Sequence, residues 1–277
     1  MASADVSFTE RRRAFRRLHE SGCFVLPNPW DAGSARYLQR LGFKALATTS
    51  AGCAWTNGAP DGAAGLDDTL ANIRPIVAAC DLPVNADFES GFAATPEGVA
   101  SNVAACVATG VAGLSIEDST GRRDNPLHPL PVAVERLRAA RAAIDATQTG
   151  VLLVGRAECY LVGHPDPLAE SLRRLTAYAE AGADVLYAPG AVTRVEITAI
   201  VSAVAPRPVN VIVPRNIGFT VADLAALGVR RISVGGALAR TAWTAFARAA
   251  QTIADDGAFT GFDDTLSAAD INGYLQR

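Results

Sequence analysis

Eight short apolar runs, each followed by an amphipathic stretch, succeed one another along nearly the whole chain. The runs are Cys23–Asn28, Lys44–Ser50, Leu82–Phe88, Gly113–Asp118, Val151–Ala157, Val185–Pro189, Val209–Val213 and Arg231–Gly235. Helical patterns lie between and after them, at Asp31–Leu41, Leu66–Cys80, Thr95–Thr109, Val132–Ala146, Pro167–Ala181, Glu196–Val204, Val221–Leu227 and Thr241–Asp255. Continuously apolar strands suit a parallel sheet, because helices cover its outer face and leave no side for water. Eight such units predict a (β/α)8 TIM-type barrel, for which about 250 residues is typical, and the chain has 277. The alternative is an open doubly wound sheet, but no Gly-x-Gly-x-x-Gly turn follows the first strand.

Punctuation agrees with these boundaries. Thr95-Pro96-Glu97 places an N-cap before a proline at the first helical position. Gly42, Gly110, Gly182 and Gly228 each close a helical stretch where a left-handed cap is expected. The chain therefore reads as one domain: an N-terminal helix in residues 1–22, a barrel in 23–256 and a C-terminal helical arm in 257–277.

Composition excludes more than it suggests. A net charge of −3 gives no electrostatic reason to expect nucleic acid or an anionic membrane as partner. Arg11, Arg12, Arg13, Arg16 and Arg17, flanked by Glu10 and Glu20, are expected on a solvated helix face. Met1-Ala2-Ser3 opens no apolar leader and no segment is apolar enough to span a bilayer, so a cytoplasmic protein is expected. The five cysteines are scattered, without a Cys-x-x-Cys pair, which disfavours a disulfide framework or structural zinc. Lys44 is the single lysine and His19, His128 and His164 are the only histidines, leaving little for Schiff-base or multi-histidine metal chemistry.

Active sites of such barrels form at the C-terminal strand ends, and here those ends are polar. They read Thr48-Thr49-Ser50-Ala51-Gly52 with Asp61 in the loop beyond, then Asn85-Ala86-Asp87-Phe88-Glu89, Glu117-Asp118, Arg156-Ala157-Glu158 and Tyr187. Carboxylates ending buried strands are costly without a positive partner. A hydrated Mg²⁺, which takes oxygen ligands and keeps several waters, is expected at Asp61, Asp87 and Glu117, with Asn85 offering its carbonyl; Mn²⁺ would substitute. The alternative is that Asp87 and Glu117 simply pair with Arg156. Arg156 suits a carboxylate clamp, since its planar fork matches a carboxylate bidentately. Ser50, Ala51 and Gly52 add a hydroxyl and approachable amides.

These strand ends resemble those of the isocitrate lyase/phosphoenolpyruvate mutase superfamily. The likeness spans most of the chain: Pro27-Asn28-Pro29-Trp30-Asp31-Ala32, Thr49-Ser50-Ala51-Gly52, Pro60-Asp61-Gly62, Asn85-Ala86-Asp87, Ile116-Glu117-Asp118, Gly155-Arg156-Ala157-Glu158 and Ala181-Gly182-Ala183-Asp184. The resemblance implies a magnesium-bound 2-oxo acid held by Ser50, Ala51, Gly52 and Arg156, with Trp30, Asp87 and Tyr187 also in contact. It implies metal ligation by Asn85, Asp87 and Glu117, with Asp61 in the same shell. It further implies a homotetramer in which C-terminal helices, here 257–277, pack across or exchange between subunits.

Three departures narrow the chemistry. Asn85 stands where the family usually has aspartate. The Lys-Lys-Cys-Gly-His loop of the isocitrate and methylisocitrate lyases is replaced by Thr120-Gly121-Arg122-Arg123-Asp124-Asn125, so their acid/base cysteine is missing. The sixth strand ends in Ala188-Pro189, where the phosphonate-handling mutases have histidine. The expected activity is a Mg²⁺-dependent lyase or decarboxylase on a small 2-oxo acid of the oxaloacetate type, with Arg156, Asp61 and Ser50 as catalytic groups. The alternatives are phosphonomutase or phosphonopyruvate hydrolase chemistry, and a non-catalytic 2-oxo acid binder.

Overall fold

In the computed structural model, which describes residues 7–276, eight parallel strands form a barrel. They are β1 (Phe24–Leu26), β2 (Leu46–Ala47), β3 (Val84–Asp87), β4 (Gly113–Glu117), β5 (Leu152–Arg156), β6 (Val185–Tyr187), β7 (Val209–Ile212) and β8 (Arg231–Ser233). Their hydrogen-bonded order is β1-β8-β7-β6-β5-β4-β3-β2. The ring closes between β1 and β2 where the Ala47 N–H donates to the Pro27 carbonyl at 3.1 Å. The fold is a (β/α)8 barrel, as the periodicity predicts. Residues 1–6, with the opening Met1-Ala2-Ser3, and Arg277 lie outside the described residues.

The helices are α1 (Phe8–Leu18), α2 (Ala32–Arg40), α3 (Ser50–Thr56), α4 (Leu66–Ala79), α5 (Pro96–Ala108), α6 (Leu130–Ala146), α7 (Pro167–Glu180), α8 (Arg194–Val204), α9 (Val221–Ala226), α10 (Ala237–Asp256) and α11 (Ala268–Leu275). The Thr95 hydroxyl caps α5 by accepting from the Gly98 N–H. Gly42, Gly110, Gly182 and Gly228 have φ of 87°, 93°, 101° and 86°, the left-handed region that glycine enters without steric cost. The core is the layer between strands and outer helices, where Ile73, Phe88, Val103, Leu114, Ile144 and Leu175 are buried.

The basic run at the N-terminus is only partly the solvated face expected of it: Arg13, Arg16 and Arg17 are exposed. Arg11 and Arg12 are buried, and each reaches the last turn of another helix. Arg11 donates to the Val77 carbonyl of α4 at 2.9 Å, and Arg12 to Val107 of α5 at 3.1 Å and to Val111 at 2.9 Å. Carbonyls at a helix C-terminus lack intrahelical donors and carry partial negative charge, so guanidinium groups satisfy them. Phe15, on the same helix, plugs the N-terminal end of the barrel with Leu26, Ala45 and Leu152.

Candidate active site

The first polar strand end is shaped by a short helix that takes over from the last residue of the expected strand. β2 stops at Ala47, and Ser50 opens α3 with Thr49 as N-cap, its hydroxyl accepting from the Gly52 N–H at 3.3 Å. This turn is tied to β3 twice. The Asp87 N–H donates to the Thr48 hydroxyl at 2.9 Å, and the Ser50 N–H donates to Asp87 Oδ2 at 3.0 Å. Ser50 and Ala51 line the mouth of a cavity of about 480 Å³ at the C-terminal end of the barrel, together with Asp61, Asp87, Arg156 and Tyr187. Gly52 and Trp30 are not in its wall. A Cβ on Gly52 would lie 2.7 Å from Trp30 Cβ, so these two form the close contact that seats α3, not a substrate contact.

Arg156 is the hub of the mouth. Its Nη1 lies 3.3 Å from Asp87 Oδ1 and 3.2 Å from Glu117 Oε2, and its Nε donates to Glu158. The guanidinium sits over the Tyr187 ring, 5.3 Å from its centroid, a favourable cation–π geometry. Strand register makes this possible, since Glu117, Arg156 and Tyr187 stand side by side on β4, β5 and β6. Asp118 faces the other way. It accepts from Arg174 and the Tyr178 hydroxyl of α7 and from the Glu158 N–H, which fixes the β5 end from behind.

One arginine answers an excess of acids. Desolvation pushes Glu117 well above the usual carboxylate range against the pull of Arg156, and Glu158 rises for the same reason. Glu89 is pushed up to about 7 by desolvation and then by the charges of Asp87 and Asp61. It holds a left-handed φ of 44°, and its Oε1 is buried without a hydrogen-bond partner. Asp61, on an exposed loop, is raised by partial desolvation at the pocket rim and by Asp87. Burial first and mutual repulsion second thus disfavour full ionisation of these acids, and an added positive charge would relieve both. A hard divalent cation fits that deficit and that all-oxygen donor set. No group of three His, Cys, Asp or Glu side chains among the described residues forms a ready metal cage, and Arg156 stands between Asp87 and Glu117.

Asn85 is not part of this mouth cluster. It points into the barrel two residues below Asp87, and its Oδ1 accepts from Arg231 Nη1 at 3.3 Å. Arg231 Nε also donates to Asn210 Oδ1 at 2.9 Å, and Asn210 Nδ2 to the Ser233 hydroxyl at 3.0 Å. The carbonyl expected to face a metal thus already holds a buried cation. Sequence reasoning missed Arg231, Asn210 and Ser233. The available signal was period-two alternation, which turns both Arg231 and Ser233 inward on an otherwise apolar strand. Asn28 was also missed as a staple. Its Nδ2 donates to the Thr48 carbonyl, while its Oδ1 accepts from Val234 and Gly235.

The family model for phosphoenolpyruvate phosphomutase matches residues 15–254. This chain belongs to the isocitrate lyase/phosphoenolpyruvate mutase superfamily. Among solved structures, a candidate lyase/mutase from Burkholderia cenocepacia is 47% identical, with a TM-score of 0.93 and 97% of each chain covered. The 2-methylisocitrate lyase of Salmonella typhimurium is 34% identical over 60% of this chain and 57% of its own length. The oxaloacetate decarboxylase of Rhodopseudomonas palustris is 30% identical over 72% of this chain and 69% of its own. Membership in this superfamily makes the protein an enzyme of the lyase/mutase type. No helix among the described residues is long and apolar enough to cross a membrane.

Proposed function

We propose that this superfamily member is a magnesium-dependent decarboxylase or lyase that cleaves the bond distal to the oxo group of a small 2-oxo dicarboxylate, of which oxaloacetate is the simplest. The observation that carries this reading is the polar inventory of the mouth: the Asp61 and Asp87 carboxylates beside Arg156, and neither a cysteine nor a histidine on the cavity wall among the described residues. The β4–α6 loop is an exposed turn pinned by the Ser119–Leu127 bridge, and its Thr120–Asn125 stretch has no cysteine. β6 runs into Ala188-Pro189.

Each residue then has a definite task. Asp87 and Glu117, with Asp61 through water, would hold the cation once Arg156 turns toward substrate. The bound ion supplies Lewis-acid stabilisation of the charge that builds on the oxo oxygen. The Ser50 hydroxyl and Ala51 N–H donate to the carboxylate next to the oxo group, and the Arg156 fork holds that carboxylate and offsets the developing enolate charge. The C–C bond electrons pass into the enolate, CO₂ departs without a protonated leaving group, and water supplies the later proton. Such a reaction needs no cysteine acid and no phosphoryl-handling histidine.

The test is one pyruvate-coupled assay on oxaloacetate, phosphonopyruvate and 2-methylisocitrate with Mg²⁺. Pyruvate from oxaloacetate above the rate with magnesium alone is expected, with little from the other two. Faster turnover of phosphonopyruvate would move the enzyme to C–P chemistry. Binding of 2-oxo acids without turnover of any of the three would make it a binder.

A further inference from the structure

The cavity has two unlike walls. From β2 to β5 it carries both of its lining carboxylates, Asp61 and Asp87, together with Arg156. From β6 round to β8 it carries no carboxylate but two arginines, Arg231 at the floor and Arg215 at the exposed rim. Neither forms an ion pair among the described residues. Arg231 is 3% exposed and donates to two neutral amides, Asn85 and Asn210. Those bonds use Nε and Nη1 and leave the second terminal nitrogen without an acceptor among the described residues, in a residue that lines the cavity. Burial lowers its pKa to about 10, so it stays charged at neutral pH. An uncompensated buried cation is costly and a barrel interior has ample apolar side chains to replace it.

We propose that Arg231 anchors a second anion subsite, which receives the far carboxylate of a dianionic substrate whose near carboxylate lies at Ser50 and Arg156. This deepens, and rests on, the 2-oxo dicarboxylate reading above. Asn85 and Asp87 are two residues apart on β3, which separates floor from mouth by about 6.6 Å at the ~3.3 Å rise of a parallel strand, within the span of a short dicarboxylate and its hydrogen bonds. The subsite also gives Asn85 a role. An aspartate there would pair with Arg231 and neutralise it, whereas the amide orients the guanidinium and leaves its charge for the ligand. Ser233, bonded to Asn210, completes a neutral polar collar around that charge.

The experiment compares two unreactive ligands with the same head group, L-malate and L-2-hydroxybutyrate, which differ by the far carboxylate. Calorimetric titration of the full chain in magnesium buffer should show malate preferred by about tenfold or more, the scale of a hydrogen-bonded charge pair. Arg231→Gln should reduce that preference to about twofold, and Asn85→Asp should do the same with Arg231 still in place. Both should leave 2-hydroxybutyrate binding near the wild-type level. If Arg231→Gln fails to fold, Asn85→Asp carries the test, with thermal melting confirming its fold. A wild type that does not distinguish the two ligands, or an Asn85→Asp variant that keeps the preference, overturns the subsite. Malate is not consumed by the proposed reaction, so absence of oxaloacetate turnover would sink that reading without blurring this result.

Discussion

Arg156 has three carboxylates around it and one cation's worth of charge, and that imbalance governs what its replacement does. Lysine keeps the charge but cannot serve Asp87, Glu117 and Glu158 with a planar fork. Arg156→Lys should lose about 2 kcal/mol of transition-state stabilisation, roughly thirtyfold in kcat/KM; near-normal steady-state kinetics would make the arginine structural. Asp87→Ala should weaken Mg²⁺ or Mn²⁺ binding in calorimetry, and chelator should abolish activity; full activity in excess chelator would refute the metal assignment. Glu89 gives a pH signature. Its carboxyl is raised from 4.5 to about 7, first by desolvation and then by Asp87 and Asp61. A raised carboxyl favours the fold below its unfolded value, and that contribution is lost as pH climbs through the folded value. In chelator, Glu89→Gln should therefore raise the unfolding free energy at pH 8 by on the order of 1 kcal/mol after allowing for solvent screening, seen as a higher melting temperature, and change little at pH 5.

At the scale of elements, α3 is where local pattern and tertiary contact part company. Lys44–Ser50 reads as a strand because it is short and apolar, yet β2 is two residues long and Ser50 begins a helix. The N-cap at Thr49 was legible in principle; the contact that seats the helix was not. A Cβ on Gly52 would come within 2.6 Å of Thr49 Cγ2 as well as 2.7 Å of Trp30 Cβ. Gly52→Ala should consequently cost about 1–3 kcal/mol, the range for overpacking, and depress kcat/KM, because α3 carries Ser50 and its amide bond to Asp87. Denaturant melts and kinetics on the same sample check both parts. The helix caps at Thr95 and the four C-terminal glycines, by contrast, depend on residues within a turn of each other, and they stand where the sequence puts them.

At the scale of the molecule, the C-terminal region leaves an apolar face uncovered. Trp243 and Phe246 of α10 are 49% and 63% exposed, and Phe259, Phe262 and Leu266 beyond it are exposed too. The final helix α11 folds back on α2 of its own chain, where Arg36 and Arg40 donate to the Leu275 and Gly273 carbonyls and Tyr37 packs on Tyr274. Contiguous exposed aromatics on this scale mark an association surface. The 257–277 arm, expected to pack across or exchange between subunits, here rests on its own chain, and we propose that α10 and the exposed aromatics after it form the contact of a homotetramer. Light scattering at micromolar concentration should give four times the monomer mass, and Trp243→Glu with Phe246→Glu should lower it. A monomeric wild type would remove the idea.

The sequence alone determined the barrel and, apart from β2, which polar residues stand at its strand ends, because both follow from alternation along the chain and from turn residues within a few positions of one another. It placed Asp61, Asp87, Arg156, Ser50 and Tyr187 around one cavity for the same reason. Only the tertiary structure decided which inward side chains meet across the barrel. Arg231 and Asn85 are 146 residues apart, and their contact depends on strand register and the stagger of the closed sheet. Arg11 and Arg12 show the same limit, since a basic run on one amphipathic helix says nothing of the carbonyl ends that two other helices bring to it.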